Sequence, residues 1–334
     1  MKNHPTPLWR KFSAVALAVV CATSIATAAD LKFKADPAKV LGAENCKECH
    51  APIFAAWEQT HHFGSYSAGY KGKPAMHRTD AAKAILKKMG MRSAKRGLCV
   101  ECHYTGQASS SGRIKTLSGT SCESCHGAGK DWNKIHSNKE DPQALAKAGD
   151  LGMIRPHQTY AVAANCYTCH TVPNEDLVNK GGHTAGSDFE LVSWSQGEIR
   201  HNLQKTEGKT NTEARPEHKR VMYVTGRLLD LEYSIRALAK ATADGTYSQK
   251  LTDRINKMTA ELKKIGGAGV SAAGDIAGLV AAGQLKAGNE GGLTKLADAI
   301  ASKSKAFADG NDGSQLAGVD GMIPTTVKGK VYQP

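Results

Sequence analysis

Aromatic side chains and long apolar runs are both scarce in this 334-residue chain. Phe, Trp and Tyr make up 6 % of the residues, which is little for a chain that must bury a core of domain size. After residue 29 no stretch is apolar enough to span a bilayer, so we expect no transmembrane helix there. The lysines are scattered and no DNA- or RNA-binding motif is present, which argues against a nucleic-acid partner.

Cysteine is absent after residue 169, and eight of the nine cysteines fall into four copies of Cys-x-x-Cys-His. In chain order, motifs 1 to 4 are Cys46/Cys49/His50, Cys99/Cys102/His103, Cys122/Cys125/His126 and Cys166/Cys169/His170. This pentapeptide is the attachment signature of c-type haem: the thiols form thioethers and the histidine ligates the iron. Zinc knuckles and disulfide oxidoreductases do not require a histidine after each pair. We therefore predict four covalently bound haems c, numbered by motif, with these histidines as proximal ligands.

The ninth cysteine, Cys21, belongs to an N-terminal segment with the pattern of a secretory signal peptide. An apolar run over 13–26 follows three basic residues, Lys2, Arg10 and Lys11. Bulky Val20 stands where a lipoprotein signal has a small residue, so we expect Cys21 to carry no lipid. We expect it to be removed when the signal peptide, residues 1–29, is cleaved. The sequence therefore predicts a protein secreted to the periplasm.

The charge balance is basic. Removal of the signal peptide lowers the formal net charge from +13 to +10, and the propionates of four haems lower it to roughly +6. A basic surface suits fast encounters with acidic redox proteins.

Two segments of different character follow the signal peptide. Residues 40–215 contain every motif, and we expect porphyrin surface to replace part of the missing apolar core of this tetrahaem cytochrome domain. Short helices and loops with little sheet are expected there. Helices are predicted over Ala51–Gln59 and over Asp80–Met89, the latter with Thr79 as its N-cap.

From residue 216 onward the chain has no Cys, no Trp and no haem motif. Apolar residues at three- and four-residue steps over 221–238 and 251–265 predict two amphipathic helices in an antiparallel hairpin. Weaker helices are expected over 272–287 and 292–308, within a helical extension spanning 216–315, and 316–334 as an extended tail. We interpret the extension as a buttress for the haem domain, with docking or dimerisation as the alternative. The predicted fold is mainly α.

The sixth ligand of each iron should be a further histidine, since bis-His ligation gives low-potential electron-transfer sites and enough histidines are present. Methionine is the rival ligand. His183 and His201 flank a loop containing Trp and Gly, and we assign them to haems 2 and 4 in an order that the sequence leaves open. His77 competes with them, whereas His157 and His218 are expected to face solvent or to support a ligand.

Two stretches resemble the tetrahaem cytochrome c five-fifty-four family, and the likeness extends over about residues 40–175. They are Ala-Trp57-Glu-Gln-Thr-His61-His62 after motif 1 and Gly-Thr-Ser-Cys122-Glu-Ser-Cys125-His126-Gly-Ala-Gly around motif 3. The resemblance implies crossed distal ligands: His62, with His61 in reserve, for haem 3, and His136 for haem 1. It also implies closely stacked haem pairs. In the type member, which takes electrons from hydroxylamine oxidoreductase, haem 2 is five-coordinate.

Two functions fit these features. The first is a periplasmic electron-transfer protein that is not an enzyme. Its partners would be periplasmic or membrane-bound redox proteins, with a multihaem oxidoreductase as a candidate donor. The second is an oxidoreductase in which one five-coordinate haem acts on hydroxylamine, nitric oxide or nitrite. The surplus of histidines favours the carrier. A wire of many copies would need haems exposed at both ends of the monomer, and the C-terminal helices are a candidate oligomer contact.

Overall fold

The structure is a computed structural model that describes residues 1, 35–68, 70–281 and 283–334. The predicted signal peptide, apart from its first residue, and Cys21 lie outside the described residues. The described chain is mainly helical, as predicted, and the described ranges contain one two-stranded sheet. None of the helices in these ranges is both long enough and apolar enough to cross a membrane.

The N-terminal part consists of short elements separated by loops. Its α-helices are α1 (Glu44–Lys47), α2 (Ala51–Glu58), α3 (His61–Gly64), α4 (Asp80–Lys88), α5 (Leu98–His103), α6 (Cys122–His126), α7 (Ala144–Asp150), α8 (Thr159–His170), α9 (Glu175–Asn179) and α10 (Leu191–Ser195). Short 3₁₀ turns occupy Tyr70–Gly72, Met76–Arg78 and Gln204–Thr206.

Local sequence signals account for the helix boundaries. The predicted helix after motif 1 is confirmed as α2, which has Pro52 in its first turn, where a missing N–H is tolerated. The predicted N-cap of α4 is also confirmed, because the Thr79 hydroxyl accepts the Ala82 N–H at 3.2 Å.

A β-hairpin joins motif 2 to motif 3. Strand β1 (Tyr104–Ala108) starts directly after motif 2 and pairs antiparallel with β2 (Ile114–Gly119), with an irregularity at Thr105/Gly106. At its base, Thr105 Oγ1 accepts the Ser121 N–H at 3.1 Å, and Thr120 Oγ1 donates to the Cys102 carbonyl at 3.0 Å. The hairpin therefore holds the residues just before motif 3 close to the end of motif 2.

Four helices form the C-terminal part: α11 (Pro216–Ala239), α12 (Thr246–Gly267), α13 (Ser271–Val280) and α14 (Glu290–Gly310). The two helices predicted over 221–238 and 251–265 are confirmed as α11 and α12, which contact each other. Helix α13 ends earlier than expected. The tail is not wholly extended, because Ala317–Met322 forms a 3₁₀ turn around the buried Val319.

The main hydrophobic core crosses from the motif-bearing part into the C-terminal helices. Tyr167 of α8, Phe189 and Leu191 share one buried cluster with the inward faces of α11 to α14. Helix α11 contacts both α8 and α10. The C-terminal helices thus support the helix that carries motif 4.

Truncation of a fully buried side chain in this core should destabilise the protein. Ile255 of α12 is 0 % exposed, so Ile255→Ala is expected to lower the free energy of unfolding by about 2–5 kcal/mol. Urea denaturation followed by far-ultraviolet circular dichroism measures the change. Lys257→Ala, at an exposed position on the same helix, is the control and should stay within about 0.5 kcal/mol of the parent.

Candidate functional site

Each motif histidine lies opposite a second histidine from elsewhere in the chain. The ring centroids are separated by 6.2 to 6.4 Å in all four cases. The pairs are His50 with His136, His103 with His183, His126 with His201, and His170 with His62.

This spacing fits one metal ion between two imidazoles. Metal–nitrogen bonds of about 2 Å, together with about 1.1 Å from each nitrogen to its ring centre, place two such centroids about 6 Å apart. No group of three or more His, Cys, Asp or Glu in the described ranges could hold a metal ion. An iron that already has four porphyrin nitrogens requires only two ligands from the protein, so the residues present fit c-type haem.

The outer ring nitrogens support the same interpretation. Six of the eight paired histidines have an oxygen within 2.6 to 3.2 Å of Nδ1. Four of these oxygens are backbone carbonyls, which can only accept, so Nδ1 carries the proton and donates it. The acceptors are Ile154, Asn133, Thr184 and Ile199 for His126, His136, His183 and His201. Nε2 is then left with a free lone pair, as an iron ligand requires.

Burial keeps two of these imidazoles neutral. It lowers the pKa of His103 to about 4, with a smaller contribution from the neighbouring His183. Burial also lowers the pKa of His201, although its bond to the Ile199 carbonyl opposes the shift. A histidine that is neutral at physiological pH can bind iron without first losing a proton.

Local helices present the attachment residues of three motifs together. In α5, α6 and α8 the two thiols stand three residues apart and the histidine follows, so all three side chains share one helix face. The opposing histidines are on less regular segments. His62 is in α3, whose N-cap Thr60 accepts the Phe63 N–H at 3.2 Å, and His136 follows a turn at Trp132. His183 and His201 follow α9 and α10.

Three contacts link the motifs in the order 1, 3, 4, 2. The side chains of Cys46 and Cys122 are neighbours, which brings motifs 1 and 3 together. Asn165, next to motif 4, donates to the Cys125 carbonyl at 3.0 Å. Cys169 Sγ is 3.7 Å from the carbonyl oxygen of Glu101 in motif 2.

A cavity of about 70 Å³ adjoins the thiols of motif 4. His62 and His170 line it together with Cys166, Cys169 and the apolar side chains of Phe189, Leu191, Trp194 and Ile199. The apolar walls would exclude water from the flat faces of a macrocycle.

Two histidines lie opposite motifs other than those assigned from the sequence. The resemblance implied that His62 serves haem 3, yet it lies opposite His170 of motif 4. His201 was assigned to haem 2 or haem 4, yet it lies opposite His126 of motif 3. The reason is a contact made by the neighbouring residue: the His61 N–H and Nδ1 both bond to Glu198, at 2.6 and 2.7 Å. This contact fixes the start of α3 against the segment that continues to His201. His136 lies opposite His50, the motif to which the resemblance assigned it.

The reserve histidines have other surroundings. His61 bonds to Glu198, and the His77 ring is 6.4 Å from that of Tyr66. His218 Nε2 is 3.3 Å from Thr159 Oγ1, and His157 is exposed.

Glu198 is a buried carboxylate that the sequence patterns did not single out. Its side chain is 1 % exposed. Besides His61, it contacts Lys71 Nζ at 3.2 Å and the Tyr70 hydroxyl at 3.3 Å. Burial alone would raise the pKa of this carboxyl, but the bonds from His61 and Lys71 outweigh it, and the pKa is lowered.

A second network connects the C-terminal helices to motif 4. Arg254 of α12 forms a two-point ion pair with the buried Asp230 of α11, at 2.5 and 2.8 Å. Its third nitrogen donates to the Ser187 carbonyl at 2.8 Å. The Ser187 hydroxyl lies 2.8 Å from His170 Nδ1. Sequence alone could not have predicted this contact of Ser187, because nothing distinguishes Ser187 from other serines in loops.

Loss of the Ser187 hydroxyl should raise one haem reduction potential. An acceptor on Nδ1 makes the imidazole a better donor to ferric iron. Ser187→Ala should therefore raise the reduction potential of a haem bound at motif 4 and leave the potentials of the other haems unchanged. A spectroelectrochemical titration measures this. Ser187→Thr keeps a hydroxyl and should restore the parent value; an unchanged set of potentials in Ser187→Ala would contradict the assigned bond.

The Glu198 carboxylate should stabilise the protein in a pH-dependent way. Because its folded pKa is lowered, its contribution is complete above the ordinary value of 4.5 and is lost as the pH falls through the folded pKa. We expect Glu198→Gln to reduce the free energy of unfolding by about 1–3 kcal/mol at pH 7. The difference between the two proteins should shrink below pH 4.5, as urea titrations at several pH values would measure. A difference that stays constant across this range would contradict the prediction.

Comparisons with known proteins agree with the motif-based resemblance. Residues 45–127 match the family described as "Cytochrome c554 and c-prime". The chain is 26% identical over 138 residues to "Cytochrome c-554" of Nitrosomonas europaea, a span of 39% of this chain and 56% of that protein. The chain thus spans about half the length of the curated relative that it matches. No solved structure matches. The resemblance is therefore confirmed over residues 45–127, the part of the chain that matches the model of this family.

Proposed function

We propose that the protein is a periplasmic tetrahaem electron carrier in which all four irons have two histidine ligands. The observation that carries this proposal is the set of four opposed imidazole pairs, each with 6.2 to 6.4 Å between ring centroids. Haem c bound at the four motifs would supply reversible one-electron couples. The eight motif thiols would hold these groups, and the eight paired histidines would orient them.

A carrier is favoured over an enzyme because a substrate needs an open position on the iron. His183 stands opposite His103, at the haem that the resemblance implied to be five-coordinate. We infer that this chain closes that position with an imidazole. A six-coordinate haem changes oxidation state with little change in its ligands, which suits electron transfer and excludes small nitrogen compounds from the metal.

The motif contacts support one continuous route for electrons. Motif 1 touches motif 3, motif 3 lies beside motif 4, and motif 4 touches motif 2. We propose that haems 1 and 2 are therefore the two ends of the series, through which the protein exchanges electrons with different redox proteins. Haems 3 and 4 would relay electrons between them.

Electron paramagnetic resonance of the oxidised protein tests the ligation. We expect only low-spin ferric signals and no carbon monoxide binding after reduction. His183→Ala should open one iron, giving one high-spin haem per chain and binding about one carbon monoxide, because no second ligand remains at motif 2. A high-spin haem in the parent protein would favour the alternative, an oxidoreductase acting on a small nitrogen compound.

The pairing of His62 with motif 4 has its own test. His62→Ala should produce one high-spin haem in the parent. It should add none in a Cys166→Ser/Cys169→Ser background that cannot attach haem 4. His201→Ala is the matched control and should still add one high-spin haem in that background. The reverse result would return His62 to haem 3.

A further inference from the structure

The most one-sided charge in the chain lies just before motif 2. Residues 81–100 contain six basic residues and no Asp or Glu, in a protein with 44 basic and 31 acidic residues in all. Five of the six are exposed, and they are Lys83, Lys87, Lys88, Arg92 and Arg96. Lys83 pairs with Asp80 at 2.9 Å. The others form what we call the α4 basic face: Lys87, Lys88, Arg92 and Arg96.

The α4 basic face lies against the loop that carries the second histidine of motif 2. A side chain at Gly182 would meet Lys88 Nζ at 2.8 Å, and one at Gly181 would meet Met89 at 3.2 Å. His183 is the next residue, opposite His103. Gly182 and Thr184, on either side of His183, are both exposed. Positive charge therefore borders a haem position that lies near the surface.

The other end of the series has a mixed charge. At motif 1 the exposed Cys49 stands beside the exposed Glu44, Lys47 and Glu48, and Lys47 lies 3.9 Å from Glu44. Opposite charges alternate within a few residues there, so their fields largely cancel beyond a Debye length of about 8 Å. The two ends of the proposed route thus present different electrostatic surfaces.

We propose that the α4 basic face is the docking surface for an acidic redox protein, which exchanges electrons with haem 2. This inference rests on the proposed carrier function. It adds that the haem 2 end of the route exchanges electrons with an acidic redox protein. The complementary charge would orient the partner over the His183 loop and raise the encounter rate. In the exchange one electron passes between the haem 2 iron and the partner's redox centre, so that one is oxidised as the other is reduced.

Oxidation of the fully reduced holoprotein by two inorganic cobalt(III) complexes tests this surface. Tris(oxalato)cobaltate(III) is an anion and tris(phenanthroline)cobalt(III) is a cation; each accepts one electron to give cobalt(II). In Lys87→Glu/Lys88→Glu/Arg92→Glu, we expect the second-order rate at low ionic strength to fall about tenfold with the anion and to rise with the cation. Stopped-flow absorbance of the haems gives both rates.

A matched control separates local from overall charge. Lys257→Glu/Lys263→Glu/Lys264→Glu changes the net charge by the same amount at exposed positions on α12. The control should change the rate with the anion less than twofold. An equal fall in both variants, or a fall in neither, would overturn the proposal. The glutamine variant Lys87→Gln/Lys88→Gln/Arg92→Gln should give a smaller fall, and it serves if charge reversal prevents folding.

Protection from lysine acetylation tests the macromolecular contact. Poly-L-glutamate serves as the probe for an acidic protein surface, and mass spectrometry reads the modified sites. Lys87 and Lys88 should be protected more than Lys257, Lys263 and Lys264; uniform protection would overturn the docking site. The low-spin spectrum tests ligation separately, so a low-spin protein without the expected rate difference refutes only the docking surface.

Discussion

Two imidazoles that are to bind one iron from opposite sides have to be held with their ring centroids about 6 Å apart. One member of each pair comes from a distant part of the chain. Each motif delivers its thiols and one imidazole from a few consecutive residues. The opposing imidazole lies between 75 residues away, as with His126 and His201, and 108 residues away, as with His170 and His62. The fold therefore has to fix loops with the precision that helices usually provide. Hydrogen bonds from Nδ1 to backbone carbonyls supply that precision at His126, His136, His183 and His201.

In the segment from α10 to His201, the buried carboxylate of Glu198 holds two histidine-bearing segments together: α3 and the loop that contains His201. Glu198 receives the N–H and Nδ1 of His61, and its own N–H donates to the Lys328 carbonyl at 2.8 Å. One carboxylate thus ties α3 and the His201 loop together, while its backbone holds the C-terminal tail. Asn211 adds to this by donating to the carbonyls of Arg200 and Tyr332 at 2.8 and 2.9 Å. A buried carboxylate without partners is strongly unfavourable, so Glu198 needs its bonds from His61 and Lys71 to stay charged at this position.

Sequence was sufficient wherever structure is set by near neighbours. The Cys-x-x-Cys-His motifs, the N-cap at Thr79 and the apolar periodicity of α11 and α12 all depend on residues within a few turns of one another. The histidine that lies opposite His62 is not set by near neighbours. It depends on the contact between His61 and Glu198, which are 137 residues apart, and Glu198 belongs to no motif. Spacing from the first motif, taken from a family resemblance, therefore placed His62 with motif 3, whereas in the structure it lies opposite His170 of motif 4. The 3₁₀ turn around Val319 was missed for a related reason, because its burial comes from packing and not from any local pattern.

The C-terminal helices connect to the haem region in two ways that differ in kind. Their apolar faces share a core with α8, which stabilises the helix that carries motif 4 without specifying any single atom. The Arg254 guanidinium, by contrast, joins Asp230 to Ser187, and Ser187 contacts the outer nitrogen of His170. A planar, always charged group with two carboxylate bonds has little freedom to move. The position of Ser187 against His170 Nδ1 therefore depends on the packing of α11 against α12. The C-terminal helices thus contact the motif-bearing part both through a shared apolar core and through a chain of hydrogen bonds that ends at His170.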